Sequence, residues 1–140
     1  MFEKVLLPID LTHTESWENA LPAALKCAGD RGELHLLAIV QEVGSPMVES
    51  FLPEGYEKAA IEKTEHALRD FANTHCAGQS VSVHVGHGQI AETVIATAEK
   101  IGAQLIVMAS HPPNELRSIL IGSHAGRVVR HSPISVLVAR

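Results

Sequence analysis

Two short stretches hold the residue types that can bind or activate a ligand. In Pro8-Ile9-Asp10 a carboxylate directly follows the apolar run Lys4 to Pro8. So placed, it can accept hydrogen bonds from ribose hydroxyls or an adenine amino group, or help position a magnesium ion; equally, it can close an Asx turn or cap a helix. The second stretch is Gly122-Ser123-His124, at the end of a long connection, Ser110 to Ile121 (SHPPNELRSILI). Connections in α/β units usually take roughly 2 to 6 residues, so this length needs a reason. If a helix begins at Ser123, its free N–H groups and the positive end of its dipole form an anion site. Gly122 would let an oxyanion approach the backbone, the Ser123 hydroxyl would donate to it, and Arg117 or Arg127 would add charge. A turn glycine and an N-cap serine with no ligand are the competing reading.

Other chemistries find little support. The chain has 9 histidines, but no H-x-x-x-H on a helix and no cysteine partner to complete a metal set, so no metal ligands are assigned. His35, His66, His75, His84, His87 and His131 read as structural or surface residues. His111 and His124 differ, because both should face the anion site, where a protonated imidazole would strengthen binding in mild acid. Cys27 and Cys76 match neither a metal knuckle nor a C-x-x-C pair and are expected to be reduced and buried. A phosphate-transferring enzyme needs a positioned water, a metal with carboxylate ligands and charge stabilisation. No G-x-x-x-x-G-K-[ST] loop is present and Glu115 is the one acid in the long connection, so no catalytic residue is assigned.

The elements that must position these residues follow from hydrophobic periodicity. Lys4 to Pro8, Leu34 to Val40, Ser80 to Val85, Leu105 to Ala109 and Ile134 to Val138 read as strands, mostly apolar throughout, as expected when both faces are covered. Between them lie four helical patterns. The first starts near Trp17 behind a Thr12-x-x-Glu15 capping box, has apolar positions at Trp17, Ala20, Leu21, Ala24, Leu25 and Ala28, and stops at Gly29, with Pro22 as a source of kinking. A loop, Gln41 to Gly55, leads to the second, about Glu57 to His75, burying Ile61, Thr64, Leu68 and Phe71 beside Ala67 and Ala72. The third, Ile90 to Ile101, buries Ala91, Val94, Ile95 and Ala98; the fourth runs from Ser123 to about His131. Strict alternation of five strands and four helices implies a parallel sheet between two helical layers, with ligands outside the carboxyl ends of the strands where the strand order reverses.

Composition bounds the rest. The 140 residues suit one domain, 1–140, and 46% hydrophobic with 19% charged residues is a globular balance. A net charge of -5, with 11 basic against 16 acidic residues, provides no field for nucleic acid. The longest apolar stretches fall far short of the roughly 18 residues that span a bilayer, and no secretory signal opens the sequence, so a cytoplasmic protein is expected.

The opening KVLLPID, the ending PISVLVAR and the stretch Val107 to Ser123 resemble the universal stress protein family, and the resemblance covers essentially the whole chain. Its nucleotide-binding members have a motif of Gly, two residues, Gly, nine residues, then Gly followed by Ser or Thr. Here Ala109, Pro112 and Gly122-Ser123 take those places, with the nine-residue spacing intact. Ala109 adds one methyl group, whereas Pro112 removes an N–H and a glycine's left-handed geometry. The run S-H-x-P followed by LIGS-x-A-x-x-VVRH nevertheless looks like small bacterial members that bind nucleotide without the middle glycine.

The resemblance implies a Rossmann-like α/β domain of the adenine nucleotide alpha hydrolase-like type, with strand order 3-2-1-4-5. It implies an adenine nucleotide (ATP, ADP or AMP, with Mg2+ as an accompanying ion). Asp10 would contact the ribose or base, and Pro8, Ile9 and Ile39 would line the adenine slot. Met108, Ala109 and His111 would border the sugar and phosphates; Gly122, Ser123 and His124, with Arg117, would hold the phosphates. The expected role is a dimeric sensor or interaction module in the stress response. Two rivals stand beside it: an interaction protein that binds no nucleotide, favoured by Ala109 and Pro112, and a slow autophosphorylating enzyme with Ser118 or Ser123 as acceptor. The last strand, Ile134 to Val138, would be an apolar sheet edge, and a homodimer through it would cover that edge. Neither nucleic acid nor membrane is expected as a partner.

Overall fold

The computed structural model describes residues 2–40, 55–110 and 118–140, with side chains from residue 124 in the last segment. In chain order the elements are β1 (Lys4–Pro8), a 3-10 turn (Thr14–Ser16), α1 (Ala20–Ala28), β2 (Glu33–Val40), α2 (Tyr56–His75), β3 (Ser80–His87), α3 (Ile90–Ile101), β4 (Leu105–Ala109), α4 (Ser118–His131) and β5 (Ser135–Ala139). The strands form one parallel sheet in the order β3-β2-β1-β4-β5, as the resemblance implied.

The continuous apolar strands are explained by burial on both faces. Val5, Leu7, Leu34, Leu36, Leu105 and Val107 pack with α1 and with Leu68 and Phe71 of α2. Their neighbours Leu6, Leu37, Ile106 and Met108 point the other way, against Ala91, Val94 and Ala98 of α3 and Val128 of α4. Each strand thus serves two cores, and a polar residue on either face needs a partner. Gly86 is part of this fit: a Cβ there would collide with the Thr93 side chain, so the glycine lets the first turn of α3 close onto β3.

Several boundaries differ from the sequence reading. The chain from Thr14 forms a 3-10 turn and the α-helix begins only at Ala20, with no side-chain cap; Thr12 turns instead to Asp10. Pro22 therefore falls in the first turn of α1, where no intrahelical donor is required. Gly29 ends α1 at φ 65°, as expected. On α2, Leu68 and Phe71 are buried, Ile61 and Thr64 only half-buried, and Ala67 exposed, because the helix covers the edge of the sheet near β3. Strand β3 continues to His87 and β5 is shifted by one residue toward Ala139. The largest difference is α4, which starts at Ser118 rather than Ser123. The expected loop Gln41 to Gly55 lies, but for Gly55, outside the described residues.

Candidate functional site

The crevice expected at the carboxyl edge would lie where β1 and β4 part company. Their pairing is confined to Val5 with Leu105 and Leu6 with Ile106, although both strands run on. Pro8 contributes to the parting. Backbone donors alternate sides along a strand, and the Ile9 N–H donates to Leu37 of β2 at 2.8 Å, so the N–H that Pro8 lacks would have faced β4. This is the point where the strand order reverses, with β2 following on one side and β4 on the other.

Asp10 stands at that point and is organised by its own loop. The Thr12 N–H donates to Asp10 Oδ1 at 3.0 Å and the Thr12 hydroxyl to the same oxygen at 2.6 Å, while His13 Nδ1 lies 2.9 Å from Oδ2. Ser16 Oγ accepts from the Asp10 N–H at 2.9 Å and lies within hydrogen-bond reach of the Asp10 and His13 carbonyls. The Asx-turn alternative thus holds, and it also fixes the carboxylate in place. Burial pushes the Asp10 carboxyl up, but the Thr12 hydrogen bonds, then the His13 contact and charge, outweigh it and hold it below its ordinary value. It is an anion at neutral pH, with about half of its side-chain surface exposed to solvent.

Of the other residues expected at the site, Pro8 and Ile39 are half-buried and Ile9 and Met108 buried, all at strand ends facing the carboxyl edge. Ile39 packs against the cluster that contains Met108. Ala109 ends β4, and the next N–H, of Ser110, donates to Ala139 at 2.8 Å. His111 and Arg117 lie outside the described residues. Gly122 and Ser123 fall in the second turn of α4, where backbone donors are directed to carbonyls one turn back rather than to a ligand. His124 is half-buried and lines a cleft of about 360 Å3 between α3 and α4. Gly88 to Glu92 form one wall of this cleft, and His124 and Arg127 the other.

Thr12, His13 and Ser16 were missed because Thr12 and Glu15 matched a capping box; the signal for the alternative was the Asp-x-Thr spacing, which suits an Asx turn equally well. Among the described residues no group of three or more histidines, cysteines and acids can hold a metal ion, and no helix is long and apolar enough to cross a membrane. Cys76 is buried as expected and Cys27 only half-buried, both as free thiols; burial pushes the Cys76 thiol up from its ordinary value.

Strand order and the parting of β1 and β4 together define a doubly wound α/β domain with a half-exposed carboxylate at its switch point. The family model described as the universal stress protein family matches residues 1–140, and the chain belongs to that family. It is similar to universal stress protein G of Shigella flexneri, 28% identical over 143 residues with all of both chains covered. Among solved structures, hypothetical protein MJ0577, the subject of a structure-based assignment of biochemical function, aligns with a TM-score of 0.75 at 28% identity, covering 99% of this chain and 96% of that one. A universal stress protein in complex with cAMP aligns with a TM-score of 0.69 at 17% identity over 99% and 97% of the two chains, a likeness of fold alone.

Proposed function

We propose that this chain is a cytoplasmic stress-response protein that binds an adenine nucleotide at the carboxyl edge of its sheet and works as a dimeric sensor or interaction module. The observation that carries the reading is Asp10, held ionised at the parting of β1 and β4 with its carboxylate half exposed. Beside it, the half-buried Pro8 and Ile39 would offer apolar surface to a base, while Met108 is buried in the cluster Ile39 packs against and Ile9 is buried in the core on the opposite face of the sheet. Ala109 and His111 would border the sugar, and Arg117, Gly122, Ser123 and His124 the phosphates, with Mg2+ as an accompanying ion. A fold neighbour in complex with cAMP makes adenine nucleotides a reasonable ligand class for this architecture.

The test is calorimetric titration of ATP with magnesium into protein stripped of endogenous ligand, beside Asp10→Ala. Micromolar binding by the unsubstituted chain, lost in the variant, is the expected result. Absence of both heat and thermal stabilisation at millimolar ATP would overturn it. One observation favours a second reading, an interaction protein without nucleotide: α4 begins at Ser118 and draws Gly122 and Ser123 into its regular helix. The same titration separates the two.

A further inference from the structure

The cleft between α3 and α4 contains an ion pair whose arginine the sequence offered as one of two charges for the anion site, and whose carboxylate the nucleotide reading does not use. Arg127 Nη2 lies 3.0 Å from Glu92 Oε1, joining the first turn of α3 to α4 across the cleft, and both side chains are about half exposed, at 49% and 54%. The apolar part of the cleft, Ile90 and Ala91, belongs to the same cluster as Ile39 and Met108 at the strand ends. His124, which the nucleotide reading assigns to the phosphates, lines this cleft together with Arg127. His124 and Arg127 are three residues apart and share one face of α4. Helical side chains lean toward the helix N-terminus, which for α4 is the carboxyl edge of the sheet.

We propose that Glu92 is an internal counter-ion holding Arg127 ready at the cleft wall, and that the outer phosphates of a bound nucleoside di- or triphosphate take the guanidinium from it. The proposal rests on the nucleotide reading and adds to it a determinant of phosphate-chain length. An exposed carboxylate–guanidinium pair is weak, because water competes for both partners. A polyphosphate offers Arg127 more charge and a two-pronged acceptor, so the exchange favours the ligand. Glu92 meanwhile repels the same phosphates, so it lowers affinity for long chains while keeping Arg127 ordered in their absence. A nucleoside monophosphate has no outer phosphate to make the exchange and is indifferent to both residues.

The experiment compares ATP, AMP and inorganic tripolyphosphate on stripped protein by calorimetry, for the unsubstituted chain, Arg127→Gln and Glu92→Gln, with thermal melts confirming that each variant is folded. Arg127→Gln is expected to weaken ATP about tenfold, the scale of one lost charged hydrogen bond. Glu92→Gln is expected to tighten ATP about threefold by removing the competitor. AMP should be unchanged in both. An ATP-to-AMP affinity ratio that is the same in all three proteins overturns the proposal while leaving nucleotide binding intact. Tripolyphosphate binding that responds to both substitutions without any binding of ATP or AMP would sink the nucleotide reading and keep the phosphate cleft. No binding of any of the three would overturn both.

Discussion

Asp10 shows how one side chain is made ready by three neighbours. Thr12 and His13 occupy its two oxygens from one side, and Ser16 ties the backbone beneath it. In the proposed site, a ribose or amine arriving from the open side would meet an acceptor that is already ionised and oriented. Thr12→Val removes the hydroxyl hydrogen bond of 2.6 Å, so the Asp10 carboxyl should titrate closer to its ordinary value of 3.8. Carbon-detected NMR titration of the side-chain carboxyl measures this; an unchanged titration would mean that the backbone N–H and His13 suffice. Because the folded value is lowered, Asp10 adds stability above the unfolded value and loses it as pH falls through the folded one, at the acid end only. The place of Asp10 just past β1 was legible from sequence, since the apolar run Lys4 to Pro8 marks the strand. Its partners were not, because Thr12 fits two local motifs and only the three-dimensional path chooses between them.

At the scale of elements, legibility tracked burial. Helix α3 and strand β4 fall where periodicity placed them, because each is fixed by residues with no exposed alternative: Val94 and Ala98 on one, Leu105 to Met108 on the other. Boundaries set by weaker forces moved. The start of α1 was displaced by a 3-10 turn that holds no buried residue, and α4 extended back to Ser118. One buried polar contact was also invisible. His35, on β2, is 6% exposed, and its Nδ1 lies 2.8 Å from His84 Nε2 on β3, while Glu33 approaches its other nitrogen at 3.1 Å. At that separation one ring donates and the other accepts, so both cannot be cationic without losing the bond. Burial pushes His84 below its ordinary value of 6.5, with His35 and the Lys100 ammonium of α3 adding to it. A lowered histidine stabilises the fold fully above the unfolded value, and that stability is lost as pH falls through the folded one. Urea unfolding should therefore show a midpoint that declines from about pH 7.5 to about pH 5.5 (about one unit either side of an ordinary histidine's value). The decline should flatten in His35→Leu/His84→Leu; equal slopes in the two proteins would assign the acid sensitivity elsewhere.

For the whole molecule, the order of the strands decides what is left uncovered. Strand β5 pairs with β4 on one side and lies at the end of the sheet, with Val136 half-buried and Val138 exposed. Apolar edge strands are normally covered in solution. If the dimer proposed above uses this edge, Val136→Lys should yield monomers in sedimentation velocity at micromolar concentration with unchanged circular dichroism; dimers that persist would place the interface on another face. The overall architecture was the most legible feature of all, because alternating apolar strands and amphipathic helices admit few arrangements. Every strand of the sheet runs in the same direction, and this bears on how the domain can be joined to anything else. The chain enters β1 at the amino edge and leaves β5 at the carboxyl edge, beside the Ser110 and Ala139 hydrogen bond. A partner fused ahead of Phe2 stands a full strand length from the crevice, whereas one fused after Arg140 emerges on the crevice side. Two copies strung in tandem need a connector of about 15 to 20 Å, the height of the sheet, before the second can begin its first strand.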